Sequence, residues 1–106
     1  MRRGEVWWAT LPEPWGRRPV LLLARDGAYD LLTWVVVAPL TTTLRRVPTH
    51  VGLDPQGDGV PRPCAVNLDS ILSVRTGWLD ALITPLSAEK MGAVERAIHF
   101  ALGLRD

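Results

Sequence analysis

The chain has 106 residues, 47% of them hydrophobic and 22% charged, with a formal net charge of +1. That length suits one domain, residues 1–106, with a single core that buries roughly two-thirds of the unfolded surface. A near-neutral balance excludes a protein that coats nucleic acid through bulk charge, so any basic contact has to be local, at Arg17-Arg18 or Arg45-Arg46.

Glu5 to Ala9 is rich in strand formers, and Leu11 to Gly16 follows as a loop marked by proline and glycine. Pro19 to Ala24 is a continuous apolar run, predicted as a strand with its proline at the first position, where a missing donor is tolerated. The turn-prone Arg25-Asp26-Gly27 leads into a second such run, Leu31 to Ala38, and both runs are expected to be buried on two faces. Thr49 to Leu53 alternates polar and apolar residues, as a half-exposed strand does. The segment 54–63 is dense in turn residues. Strands are predicted again at Cys64 to Asn67, at Ile71 to Val74 and around Leu82-Ile83. From Ser87 the period changes: Ser87 suits an N-cap, and Met91, Val94, Ile98, Ala101 and Leu102 recur at helical spacing up to a Gly103 stop. Dense strands closed by one C-terminal helix point to a small, mainly β, partly open barrel.

One cysteine, Cys64, excludes a disulfide framework and fits a reducing compartment. The opening Met1-Arg2-Arg3-Gly4-Glu5 offers no apolar stretch for export, and apolar runs of about seven residues fall far short of the roughly twenty that span a bilayer. A soluble, cytoplasmic protein is expected. His50 and His99 stand alone, without further ligands at metal-binding spacing, so neither a metal nor a cofactor is expected.

The chemistry concentrates where loops meet apolar strands. Arg18, fixed in direction by Pro19, carries a permanent charge suited to gripping a phosphate, although a surface arginine at a strand start is the plain alternative. Thr41-Thr42-Thr43 supplies hydroxyls that donate to phosphate oxygens, against the simple preference of threonine for strands and turns. If the two strands are neighbours, Arg18 and Thr41 face one pocket. Trp15, beside Arg17 and Arg18, suits a nucleobase-stacking face or a loop folded over the core. Trp7, Trp8 and Trp34 lie in predicted strands, where core or subunit packing is the expectation. Asp69 either contacts the site or closes a turn.

Four stretches in order, Arg3-Gly4-Glu5-Val6-Trp7, Arg17-Arg18-Pro19-Val20-Leu21, Val37-Ala38-Pro39-Leu40-Thr41-Thr42 and Val66-Asn67-Leu68-Asp69-Ser70-Ile71, closely resemble the MazF/PemK family of toxin ribonucleases. The resemblance implies an SH3-like, partly open barrel that forms a homodimer and cuts single-stranded RNA without a metal. It also implies a cognate antitoxin whose disordered segment folds over the RNA groove. The family's catalytic arginine falls on Arg18 and its catalytic threonine on Thr41. Asp69 matches a carboxylate used by some relatives, whereas Asn67 stands where one branch carries a second arginine. Trp15, Arg17, Thr42, Arg45 and Asp69 are the expected RNA contacts, with segments 10–17 and 42–48 setting sequence preference. Two other functions fit a barrel of this kind: a toxin that binds DNA gyrase without chemistry, and a non-catalytic nucleic-acid-binding barrel.

Overall fold

The apolar runs form seven strands in a computed structural model that describes residues 1–104, so the last two positions of the expected 1–106 domain lie outside the described residues. The strands are β1 (Glu5–Thr10), β2 (Arg17–Leu22), β3 (Trp34–Thr41), β4 (His50–Leu53), β5 (Cys64–Asn67), β6 (Leu72–Arg75) and β7 (Leu79–Pro85). Helical turns α1 (Ala28–Leu31) and α2 (Pro55–Asp58) interrupt them, and α3 (Ala88–Leu102) ends the chain. Every pairing is antiparallel, in the order β4-β5-β3-β2-β1-β7 with β6 also against β3. The two ends of that order, β4 and β7, do not pair with each other. The curled sheet is therefore the mainly β, partly open barrel with a C-terminal helix that the strand pattern predicts, and the SH3-like form that the family resemblance implies.

Two cores explain the continuous apolar runs. Along β2, Leu21 packs with Val6, Ala38, Leu40 and the helix residues Met91, Val94 and Ala97, while Val20 and Leu22 pack with Ala9, Tyr29, Val35, Val37 and Val74. Each side chain points opposite to its neighbour, so a strand with both faces buried has no polar positions to spare. Val20, Leu21 and Leu22 are all fully buried, and each contributes about 1.5–3 kcal/mol relative to exposure.

β3 departs from expectation in two ways. Its first residue is Trp34 rather than Leu31, because Gly27, at φ +89°, turns the chain into α1. Tyr29 is buried there, and its hydroxyl donates to the Ala24 carbonyl at 2.8 Å. Nor is β3 covered on both faces: Trp34 and Val36 are 49% and 40% exposed. β2 likewise begins two residues early, at Arg17, which places Pro19 and Arg18 inside a strand rather than at its start. β7 is a seven-residue strand where only Leu82-Ile83 stood out, since Asp80 and Thr84 interrupt the apolar run and Pro85 ends it.

The helix follows its signals closely. Ser87 Oγ accepts from the Lys90 N–H at 3.1 Å, and Gly103 ends α3 in the left-handed conformation, its N–H and that of Leu104 returning to the Phe100 and His99 carbonyls. Met91, Val94 and Ala97 face the core, whereas Leu102 stays 58% exposed. Among the described residues, no helix is long and apolar enough to cross a membrane.

Candidate RNA cleft

The site arises where β2 and β3 part. Their ladder runs Leu22↔Val37, Leu21↔Ala38, Val20↔Pro39 and then stops. Pro39 and the adjacent Pro19 each lack the N–H that a continuing ladder needs. Past Pro39, β3 turns from β6 to β5, pairing Leu40 with Val66 and Thr41 with Ala65. The start of β2 and the end of β3 therefore form the two walls of a cleft of about 830 Å³.

Arg18 and Thr41 both line it. Arg18 on β2 and Thr41 on β3 each lie two residues beyond the last β2–β3 pair, Val20↔Pro39, on the two walls of the cleft. Arg18 is exposed and makes no ion pair with any described carboxylate. Thr41 is half-buried, and its Oγ1 accepts from the Thr43 N–H at 3.1 Å. With that lone pair engaged, the hydroxyl proton remains available to a ligand oxygen.

Arg17 differs sharply from its neighbour. Its Nη2 donates to Asp80 Oδ1 at 2.8 Å, and its guanidinium lies 4.6 Å from the centre of the Trp8 ring. Thr10 also donates to Asp80, and these two hydrogen bonds, Arg17 first, hold the Asp80 carboxyl below its usual range. Arg17 thus lines the cleft with its head tied across β1 to β7. Trp15, 59% exposed, and Thr42 also line the cleft, on the rims.

Arg45 and Asp69 stand apart from it. Arg45 is exposed on the segment between β3 and β4 and is not a lining residue. Asp69 sits in the single 3₁₀ turn after β5, where its Oδ2 accepts from the buried Thr49 hydroxyl at 2.6 Å and its N–H donates to Asn67 Oδ1 at 3.0 Å. The aspartate fastens the segment before β4 to the turn after β5, which is the turn role the sequence also allowed.

The structure adds residues that the sequence left unmarked. Arg62, held between Pro61 and Pro63, reaches the cleft from the loop after α2, and Ser73 lines it as well, together with Asn67, which the sequence marks only as a departure from one branch of the family. That loop leaves α2 through Gly59 at φ +79°, where a Cβ would sit 2.7 Å from Thr84 Oγ1, so only glycine fits. Four of the five tryptophans, Trp8, Trp15, Trp34 and Trp78, line the cleft; Trp8 is half-buried and Trp34 half-exposed, so neither is a fully buried core residue. Cys64 lies on the floor, where burial and then the Asp58 charge push its thiol up; it is a poor nucleophile.

Three properties define what the cleft can do. Among the described residues, its charged lining is Arg17, Arg18 and Arg62, all cationic, with no carboxylate or imidazole. Aromatic rings flank those cations. Such a combination suits a single-stranded polyanion with flat bases.

A family model described as "PemK-like, MazF-like toxin of type II toxin-antitoxin system" matches residues 2–102. The chain belongs to this family. The PemK/MazF-like chain is 44% identical over 100 residues, 94% of its own length and 91% of the relative's, to the "Probable endoribonuclease MazF5" of Mycobacterium tuberculosis (strain ATCC 25618 / H37Rv). Among solved structures, the "Mycobacterium tuberculosis toxin MazF-mt6" superimposes with a TM-score of 0.87 at 33% identity, covering 96% of this chain and 99% of that one. An "Endoribonuclease in complex with its cognate antitoxin from Mycobacterial species" gives the same TM-score, 0.87, at 27% identity over 100% of this chain and 98% of that one. Arg18 and Thr41 lie in two of the four stretches that carry the PemK/MazF resemblance.

Proposed function

We propose that this PemK/MazF-like chain is a cytoplasmic endoribonuclease toxin that cuts single-stranded RNA at a short sequence, works as a homodimer and is neutralised by a cognate antitoxin. The observation that carries the reading is the cleft at the parting of β2 and β3, which Arg18 and Thr41 both line and whose charged lining, among the described residues, is cationic. Relatives named endoribonuclease, one of them in complex with its cognate antitoxin, support the activity and the partner.

The substrate's 2′-oxygen is the nucleophile. It forms a bond to phosphorus as the bond to the 5′-oxygen breaks; the 2′-hydroxyl loses its proton, the leaving 5′-oxygen gains one, and the products are a 2′,3′-cyclic phosphate and a 5′-hydroxyl. Arg18 places a fork of donors on the non-bridging oxygens, where negative charge grows in the phosphorane, and Thr41 donates a further hydrogen bond. Holding the 2′-oxygen in line with the leaving oxygen supplies the rest. Among the described residues the cleft is lined by cations and hydroxyls and by no carboxylate or imidazole, which supports action by alignment and charge stabilisation rather than through a dedicated base. Trp15 and Thr42 are the supported RNA contacts on the rims, and Arg17 shapes the wall.

The test is incubation of the purified protein with single-stranded RNA in EDTA. Discrete fragments are expected. Intact RNA together with inhibition of DNA gyrase supercoiling would overturn the proposal.

A further inference from the structure

Resting on that reading, we infer that Trp34, Trp78 and Arg75 form a second RNA subsite that stacks a nucleobase several nucleotides from the cut. Trp34 and Trp78 meet edge to face, with ring centres 5.4 Å apart and planes at 82°. Arg75 pairs with Trp34 across the β3–β6 ladder, and its guanidinium lies 5.7 Å from the Trp34 ring centre. Both tryptophans line the same cleft as Arg18 and Thr41.

The arrangement is costly unless something covers it. Trp34 is the first residue of a central strand, yet 49% of its surface faces solvent, and Val36 beside it on the same face is 40% exposed. An indole of this kind presents a flat apolar area of the size that one stacked base removes from water. Trp78 braces one side of the ring, which keeps Trp34 in place before ligand arrives and lowers the entropy lost on binding. Arg75 supplies positive charge beside the ring, suited to the phosphate of the same nucleotide or to stacking on its base. A polyanion is the occupant that this charge favours.

Distance separates the subsite from the reaction. Seven residues divide Trp34 from Thr41 on β3, which at about 3.3 Å per residue is on the order of 20 Å. A ligand touching both ends must therefore be an extended strand. A dinucleotide around the scissile phosphate reaches only one of them.

The experiment uses 2′-O-methyl oligonucleotides of random sequence, which lack a free 2′-hydroxyl, at lengths of about 2, 6 and 12 nucleotides. Binding to the whole protein is followed by anisotropy at fixed salt, since affinities for nucleic acid depend on it. The 12-mer is expected to bind the unaltered protein more tightly than the 2-mer. In Trp34→Leu that gain is expected to shrink by roughly 5- to 100-fold, the loss of one stacked base, with 2-mer binding unchanged. Trp34→Phe, which keeps a ring, is expected to restore most of it. An unchanged length dependence in Trp34→Leu, an equal loss at every length, or a change in molecular mass by light scattering without a change in affinity would each overturn the subsite. Absence of binding at any length by the unaltered protein would instead overturn the ribonuclease reading on which the subsite rests.

Discussion

Replacing Arg18 by alanine separates chemistry from folding, because among the described residues its guanidinium has no carboxylate partner to lose. Arg18 is exposed, forms no ion pair with a described carboxylate and precedes a proline that fixes its backbone. A surface substitution of this kind changes stability by no more than about 0.5 kcal/mol. Its effect on the reaction is of a different size. An arginine that meets charge developing on a transferring phosphoryl group contributes roughly 10³–10⁵-fold in rate, or about 4–7 kcal/mol of transition-state stabilisation. Single-turnover cleavage of a fixed RNA, with the protein in excess, reads that loss without interference from product release. Arg18→Lys restores the charge as a point rather than a fork and is expected to recover only part of the rate. Arg17→Gln is the control: its guanidinium is already held by Asp80 and Trp8, so a loss of less than about tenfold is expected. Arg18→Ala retaining activity within tenfold of the unaltered protein, or Arg17→Gln losing as much as Arg18→Ala, would refute the assignment.

Thr41→Val keeps the shape of the strand end but removes the donor, and single-turnover cleavage is expected to fall by roughly 10²–10³-fold, while Thr41→Ser, which keeps the hydroxyl, stays within about tenfold of the original. Thr49→Val breaks the hydrogen bond to Asp69 at a buried position, and denaturant titration is expected to show a loss of about 1–2 kcal/mol with the cleavage rate constant nearly unchanged. Burial of Tyr29, and next the Asp26 charge, push its phenol up to about 12 from an ordinary value near 10. The unfolded chain therefore loses that proton first. The resulting stabilisation is complete below pH 10 and disappears as the pH rises towards 12, by at most about 2–3 kcal/mol. Thermal melts of Tyr29→Phe across that window are expected to show a shallower alkaline decline than those of the original protein.

How much the sequence revealed depended on whether a signal was local. α3 was legible because Ser87, the spacing of Met91 and Val94, and Gly103 all lie within one stretch of chain. β5 was legible for a similar reason, since Pro63 precedes a short apolar run and the turn-prone Asn67, Asp69 and Ser70 follow it. The ends of β2 and β3 were not. Pro19 and Pro39 look like strand stops in one dimension, but they fall where the β2–β3 ladder ends and β3 changes partners, so the strands continue through them. That Arg18 and Thr41 line one cleft needed only the assumption that the two strands are neighbours. The contrast between Arg17 and Arg18 needed Asp80, which lies sixty-three residues further along the chain and carries no sign of the pairing. Trp34 and Trp78 are similarly distant, and only the pairing of β3 with β6 brings their rings together. Arg62 left one faint trace, a cation rigidly held between two prolines.

The central claim is that RNA supplies its own nucleophile while the protein aligns and neutralises. A single 2′-deoxy substitution at the nucleotide whose 2′-oxygen attacks, in an otherwise unaltered RNA, tests it most directly. Cleavage at that linkage is expected to stop while binding persists, and the unsubstituted RNA is expected to yield a 2′,3′-cyclic phosphate and a 5′-hydroxyl. Continued cleavage of the deoxy-substituted linkage would contradict the account.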